Sequence, residues 1–173
     1  MRNRTATTAA VMVMLTLLGG CAETNGGPSV DARAQLEKRR SYAEARDDSL
    51  ALLTELRTTM SGVVPGLQWL TPKPQVDGES GCAEPEFEGV EGASHATFDS
   101  GGAKGAISDG EWPAVWTAVQ EVAGRQGFAR PKVLKDEPGH HVVSLYDDDG
   151  AELSINTKVN TAMSIYGACH LRT

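Results

Sequence analysis

The sequence predicts a two-layer α+β domain, in which two main helices pack on an antiparallel sheet that ends in a β-meander. Two apolar stripes at helical spacing predict the helices, and four strand-like runs separated by turn residues predict the sheet. The chain has 173 residues, which suits one such domain once residues 1–30 are set aside.

The first main helix is predicted to run from Ser41 to Gly62. Ser41 and Glu44 form a capping-box pattern at its start, and Pro65 follows its end. Its apolar face contains Tyr42, Ala45, Leu52, Leu53, Leu56, Met60 and Val63. A weakly patterned run over residues 31–40 precedes it, so the N-terminal helix is expected either as one continuous piece or in two parts.

The middle of the chain is predicted to be mostly loop. Residues 76–92 are rich in Gly, Glu and Pro, and residues 100–105 are rich in Gly without the Gly-Lys-Ser/Thr of a phosphate-binding loop. Residues 67–70, before the first of these loops, and residues 93–99, between the two, are candidate short strands.

The second main helix is predicted to begin at Ser108 or Asp109, with Glu111 as capping partner, and to end at Gly127. Its apolar stripe contains Trp112, Val115, Trp116, Val119, Val122 and Ala123.

The C-terminal part is predicted to be an antiparallel meander of four strands. The strand-like runs are 131–135, 140–146, 151–157 and 161–171. In the last run, alternation places Met163, Ile165, Gly167, Cys169 and Leu171 on one face.

Residues 1–20 are predicted to be a lipoprotein signal peptide. Two arginines precede an apolar run that is shorter than the ~20 residues needed to span a bilayer, but matches the core of an export signal. Small residues stand directly before Cys21, and this pattern favours cleavage by signal peptidase II over cleavage at an ordinary secretory signal site. Cys21 is then the predicted attachment point for diacylglycerol and palmitate.

This signal predicts both the location and the organisation of the mature chain. Residues 21–30 are polar and Gly-rich, as expected of a flexible tether, and residues 31–173 form the single α+β domain. A lipid anchor at Cys21 would hold the protein at the extracytoplasmic face of the cell membrane, because two acyl chains suffice for stable attachment.

The charge of the chain disfavours nucleic acid as a partner. The formal net charge is -7, and removal of Arg2 and Arg4 with the signal makes it -7 - 2 = -9. The one basic cluster, residues 38–40, precedes a helix start and is typical of a solvated surface.

Two cysteines remain after lipidation, and we predict a disulfide between Cys82 and Cys169. An even pair in an exported chain is typical of a structural bridge. The alternative is a catalytic thiol at Cys169 beside His170, but neighbours on a strand point to opposite faces.

No pattern of catalytic or metal-binding residues is found. The four histidines and the Asp147–Asp149 run lack zinc or EF-hand spacing, and no Gly-x-Ser-x-Gly elbow is present. Glutamates between residues 84 and 91 could form a glycosidase pair, but their Gly- and Pro-rich setting is typical of a solvated loop. We therefore expect no enzyme activity, no metal and no cofactor.

Three tryptophans are the candidate ligand-binding residues. Trp112 and Trp116 share one helical face and Trp69 lies in a short extended segment. Aromatic residues at this spacing are usually core, but these rings are where a lipid or glycan would bind if the fold leaves a cleft.

Several short motifs, taken in order, resemble one protein family. They are Ser41-Tyr42-Ala43-Glu44-Ala45-Arg46, Val64-Pro65-Gly66-Leu67-Gln68-Trp69, a lone Cys82, Ser108-Asp109-Gly110-Glu111-Trp112 and Ile165-Tyr166-Gly167-Ala168-Cys169-His170-Leu171. In this order they resemble the LppA-like lipoproteins of mycobacteria and related actinobacteria, from about residue 38 to the C-terminus. The chain departs from the pattern in its short tail after Cys169 and in its Gly-rich segment 100–105.

The resemblance implies an envelope lipoprotein without assigned catalytic activity. Together with the residues, it favours a non-catalytic binding or interaction module at the outer face of the membrane, with an envelope protein, a lipid or a glycan as partner. The alternative is a prophage- or plasmid-type exclusion or protective lipoprotein, which would act through a protein surface rather than a pocket.

Overall fold

The computed structural model of the protein describes residues 30–172. The predicted signal peptide, Cys21 and the tether up to residue 29 lie outside the described residues. None of the helices within residues 30–172 combines the length and the apolar character needed to cross a membrane.

The described chain contains three helices and nine strands. The helices are α1 (Val30–Leu36), α2 (Tyr42–Val63) and α3 (Trp112–Arg125). The strands are β1 (Gln68–Trp69), β2 (Gln75–Ser80), β3 (Ala93–Asp99), β4 (Ala103–Lys104), β5 (Arg130–Glu137), β6 (His140–Tyr146), β7 (Glu152–Thr157), β8 (Asn160–Tyr166) and β9 (His170–Leu171).

All strand pairs are antiparallel, and the last strands form a continuous meander. The main path of the sheet is β1-β4-β8-β7-β6-β5, while β3 pairs with β8, β2 and β9. The apolar stripes of α2 and α3 share one core with the alternate side chains of the sheet, such as Leu153 and Ile155 on β7. The α+β prediction and the C-terminal meander are therefore confirmed.

Helix α2 begins as the capping pattern predicts. The Glu44 amide donates to Ser41 Oγ, and the Ser41 amide donates to Glu44 Oε2 at 2.9 Å. The helix buries Tyr42, Leu52, Leu53, Leu56 and Met60. A break at residues 37–41 separates it from α1, so the N-terminal helix is in two parts.

Helix α3 begins at Trp112, later than the predicted Ser108 or Asp109. Ser108 and Glu111 make the expected side-chain contact at 2.6 Å, but within a turn that precedes the helix. The end is as predicted: the Phe128 amide donates to the Ala123 carbonyl, and Gly127 adopts a φ of 90°. This is a Schellman motif, in which glycine adopts the left-handed conformation without a steric penalty.

The prediction that residues 76–92 form a loop is wrong for the first part of that segment. Residues Gln75–Ser80 form β2, which pairs with β3 along its length. The strand lies at the edge of the sheet and most of its side chains are exposed, so it lacks the apolar alternation from which a strand is predicted.

The last predicted strand, 161–171, is also corrected, because it is interrupted after Tyr166. Opposite β3, the register changes by one residue between the pairs Thr97↔Tyr166 and Ser94↔His170. Such a bulge breaks the alternation that was expected to align Cys169 with Met163 and Ile165. Cys169 is buried instead in a second apolar cluster with Ala32, Leu36, Phe87, Val90 and Leu171.

Within the Gly-rich segment 100–105, residues 100–102 form another bulge, between β3 and the two-residue strand β4, opposite two residues of β8. Ser100 is fully buried, and its hydroxyl accepts a hydrogen bond from the Met163 amide at 3.2 Å. Gly101 has a φ of 89°, and a side chain there would collide with Thr71. Glycine is thus required by both the backbone conformation and the close approach of the turn after β1.

Candidate functional site

An open groove lies between α2 and the turn after β1. Its volume is about 390 Å³, within the ~300–1,000 Å³ typical of small-molecule sites. The lining residues are Thr54, Arg57, Thr58, Ser61, Trp69, Pro72, Lys73 and Pro74. We call it the α2–β1 groove.

Trp69 lies half-buried in this groove and is held on two sides. Its indole N–H donates to Ser61 Oγ at 2.9 Å, and the guanidinium of Arg57 lies 4.7 Å from the ring centroid. The ring also packs against the main core. The geometry therefore fixes the ring in place before any ligand arrives.

Arg57 connects the groove to the glycine bulge. Its guanidinium donates to the carbonyl oxygens of Ser100 at 3.2 Å and of Thr71 at 2.7 Å. Desolvation by burial lowers the pKa of Arg57. Since a guanidinium stays charged in proteins, the groove contains a fixed positive charge.

Trp69 is a predicted site residue, whereas Arg57 is not predicted from the sequence. Arg57 lies on the polar face of the helical pattern, where an arginine usually indicates a solvent-exposed surface. Its proximity to Trp69 depends on how β1 folds back along α2, which no local pattern indicates.

The other two candidate aromatics lie elsewhere. Trp112 is buried and stacks on His141 at 4.6 Å between ring centroids, and Trp116 stacks on Trp112 at 6.1 Å. Neither lines the α2–β1 groove. Trp112 belongs to the main core and Trp116 packs against it, so this pair is separate from Trp69.

His141 joins the β5–β6 hairpin to the turn before α3. Its Nδ1 lies 2.6 Å from an Asp136 oxygen and its Nε2 lies 3.1 Å from an Asp109 oxygen. Asp109 also accepts from the Gly139 amide, and these hydrogen bonds lower the pKa of Asp109. The arrangement is a structural clamp with carboxylates on both ring nitrogens.

A smaller cleft lies near the start of α2, between Tyr42, Phe98, Phe128 and His170. It has room of about 20 Å³, enough for a water molecule but not for a lipid. His170 donates from Nδ1 to the Arg40 carbonyl, and burial lowers the pKa of His170. Burial and the nearby Glu79 carboxylate raise the pKa of Tyr42 to about 12.

Cys82 and Cys169 form the predicted disulfide, with their Cα atoms 5.7 Å apart. The bridge attaches the loop after β2 to the second apolar cluster, which also includes side chains of α1. Arg39 reinforces it by donating to the Cys169 carbonyl at 3.1 Å. Glu84 lies beside both sulfurs, but each sulfur is bonded to the other and is not available as a thiolate ligand.

Within residues 30–172, a serine–histidine pair is formed by Ser80 Oγ and His95 Nε2, which lie 3.3 Å apart. The Nδ1 atom of His95 is buried without a hydrogen-bond partner. A catalytic triad needs a carboxylate at this nitrogen to orient the imidazole. The pair therefore lacks the third group of a triad.

Comparison with known proteins assigns the chain to a class of mycobacterial lipoproteins. The model of the LppA family, described as a lipoprotein confined to pathogenic Mycobacterium, matches residues 11–173. The chain therefore belongs to the LppA family, as its ordered motifs predicted.

A solved structure supports the same fold. The crystal structure of the lipoprotein LppA from Mycobacterium tuberculosis matches with a TM-score of 0.57 and 14% sequence identity, over 82% of this chain and 85% of that chain. At this identity the likeness shows a shared fold. No curated protein matches the sequence.

Membership of a lipoprotein family implies association with a membrane. The attachment residue Cys21 lies outside residues 30–172, and its lipidation remains a prediction from the sequence.

Proposed function

We propose that the protein is a non-catalytic binding module, anchored by a lipid on Cys21 at the extracytoplasmic face of the cell membrane. The α2–β1 groove is the observation that carries this proposal. It offers a preformed volume of about 390 Å³, a fixed indole ring and two cationic side chains on the surface of a chain with a net charge of -7.

The absence of catalysis is part of the proposal. The buried histidines serve other roles: His141 bridges two carboxylates and His170 donates to a backbone carbonyl. His95 contacts a serine but has no carboxylate to orient it. These contacts support a binding role, because none of these three histidines is arranged with a nucleophile and an orienting carboxylate as a general base for hydrolysis would be.

The anchor is tested by changing Cys21→Ser. We expect the wild-type protein in the membrane fraction and the variant in the medium. Wild-type protein that is found free in the medium, or in the cytosol with an uncut N-terminus, would contradict the anchor.

Binding through the groove is tested by crosslinking in intact cells. A photoreactive side chain is placed at Thr54, on the rim of the groove, and at Thr117, an exposed threonine on α3 as matched control. Adducts at position 54 and none at position 117 support the proposal. Equal labelling, or none at either position, counts against it.

A second candidate is an exclusion or protective module that acts through protein contacts. It is favoured by two exposed apolar side chains on the edge strand β5, Val133 at 59% and Leu134 at 53% exposure. A photoreactive group at Val133 that captures an envelope protein, while position 54 stays unlabelled, would favour this candidate over the first.

A further inference from the structure

We infer that the ligand of the α2–β1 groove is an acidic saccharide, which contacts Trp69 and is held by Arg57 and Lys73. This inference rests on the proposed binding function and names its ligand class.

The charges of the groove select an anion. None of its eight lining residues is acidic, whereas Arg57 and Lys73 are both cationic. Within residues 30–172 neither of them forms an ion pair, although most arginines there do. Two uncompensated positive charges in a chain of net charge -7 favour a carboxylate ligand at this place.

The hydroxyls of the groove select a polyol. Thr54 and Thr58 donate to the helix carbonyls of Leu50 and Thr54, so their oxygen lone pairs remain available as acceptors. Ser61 accepts from the Trp69 indole, so its own O–H remains available as a donor. The groove side of α2 therefore offers two acceptors and one donor, which can pair with the hydroxyl groups of a sugar.

The apolar part of the groove suits a sugar ring better than an acyl chain. The exposed ring of Pro72 and the half-buried indole of Trp69 present limited apolar patches beside the hydroxyls. An acyl chain would need a continuous apolar lining, whereas a sugar combines C–H faces with hydroxyl edges.

The test is a binding titration of the mature lipoprotein in detergent micelles, with trigalacturonate and N-acetylmuramic acid as acidic probes. Maltotriose and inorganic phosphate are the neutral and the sugar-free controls. We expect at least one acidic sugar to bind with a Kd below about 1 mM, more tightly than either control. Binding should weaken as salt screens the charges.

Two variants with matched controls locate the site. Lys73→Gln is expected to weaken binding by about two- to fivefold, while Lys158→Gln, at an exposed lysine in the β7–β8 turn, leaves it unchanged. Thr58→Val removes a groove acceptor and should also weaken binding, while Thr117→Val, with the same bond to a helix carbonyl, should not. The melting temperature should match within each pair.

The inference is overturned if neither acidic sugar binds, if maltotriose or phosphate binds equally well, or if Lys158→Gln weakens binding as much as Lys73→Gln. Its failure is distinguishable from failure of the proposed function. If Thr54 crosslinks to a different class of ligand and no acidic sugar binds, the proposed binding function is supported and only the acidic saccharide is refuted as its ligand.

Discussion

Removal of the disulfide gives the sharpest test of how this fold is held together. The bridge joins residues separated by 87 positions. For a loop of this length, the chain-entropy relation predicts that the crosslink removes about 15 cal/mol/K of conformational entropy from the unfolded chain, which corresponds to about 4–5 kcal/mol at 25 °C. We therefore expect the double change Cys82→Ala and Cys169→Ala to lower the free energy of unfolding by about 4–5 kcal/mol.

The assay is urea unfolding of the mature protein, followed by far-ultraviolet circular dichroism. The melting temperature should fall by about 10–20 °C for a domain of this size. The dependence of the unfolding free energy on urea should steepen, because the unfolded chain without a crosslink exposes more surface.

A chemical control separates the crosslink from the packing of the sulfur atoms. Wild-type protein that is reduced with dithiothreitol keeps both sulfurs and should lose nearly as much stability as the double variant. A loss below about 1 kcal/mol in both samples would refute the chain-entropy reasoning. A large loss in the variant alone would mean that the packing of Cys169, and not the bridge, stabilises the fold.

Three further predictions concern single residues. Ser41→Ala removes the cap of α2 and should lower the free energy of unfolding by about 1 kcal/mol in urea titrations; no change would mean that Glu44 alone suffices. Gly101→Ala should lower the free energy of unfolding by more than about 1 kcal/mol, because Gly101 has a positive φ and the new methyl group would collide with Thr71. The control Gly62→Ala has open space around it and should raise the free energy of unfolding by up to about 1 kcal/mol. Burial lowers the pKa of His170 in the folded protein. Just below pH ~6.5 the imidazole of His170 is therefore protonated in the unfolded chain but not in the folded one. The free energy of unfolding should decrease as the pH falls below this value. His170→Gln should flatten this part of the stability profile, and an unchanged slope would contradict the assignment.

The parts of the fold that sequence predicted well are those with local causes. Helix α2 starts where Ser41 and Glu44 can bond each other, and α3 ends where Gly127 can adopt a positive φ. Both signals act within a few residues and need no partner from the rest of the chain.

The parts that were missed have causes far away in sequence. Strand β2 carries no apolar pattern and exists because β3 offers it hydrogen bonds. Cys169 was paired correctly with Cys82, but the bulge after Tyr166 moves it to a separate cluster with α1. Register shifts of one residue cannot be read from alternation, since they interrupt the alternation itself.

The candidate site shows the same division between local and distant causes. Trp69 could be selected from residue type alone, but its relation to Arg57 depends on the glycine bulge. Arg57 reaches the Ser100 carbonyl only because Gly101 lets the bulge approach Thr71. The Gly-rich segment 100–105 thus helps to position the side chain of Arg57 in the groove.

Helix α2 connects the N-terminal part of the fold to the α2–β1 groove. Its start lies close to β9, because His170 of that strand donates to the Arg40 carbonyl just ahead of the helix, and its last turns form one wall of the groove. A rigid helix of 22 residues holds these ends about 30 Å apart. Because Arg57 joins the far end of α2 to both Ser100 and Thr71, a ligand in the groove would bind a surface that the fold holds in place. Variants that loosen the Arg57 contacts should therefore weaken binding in the groove without releasing the protein from the membrane, whereas Cys21→Ser should do the reverse.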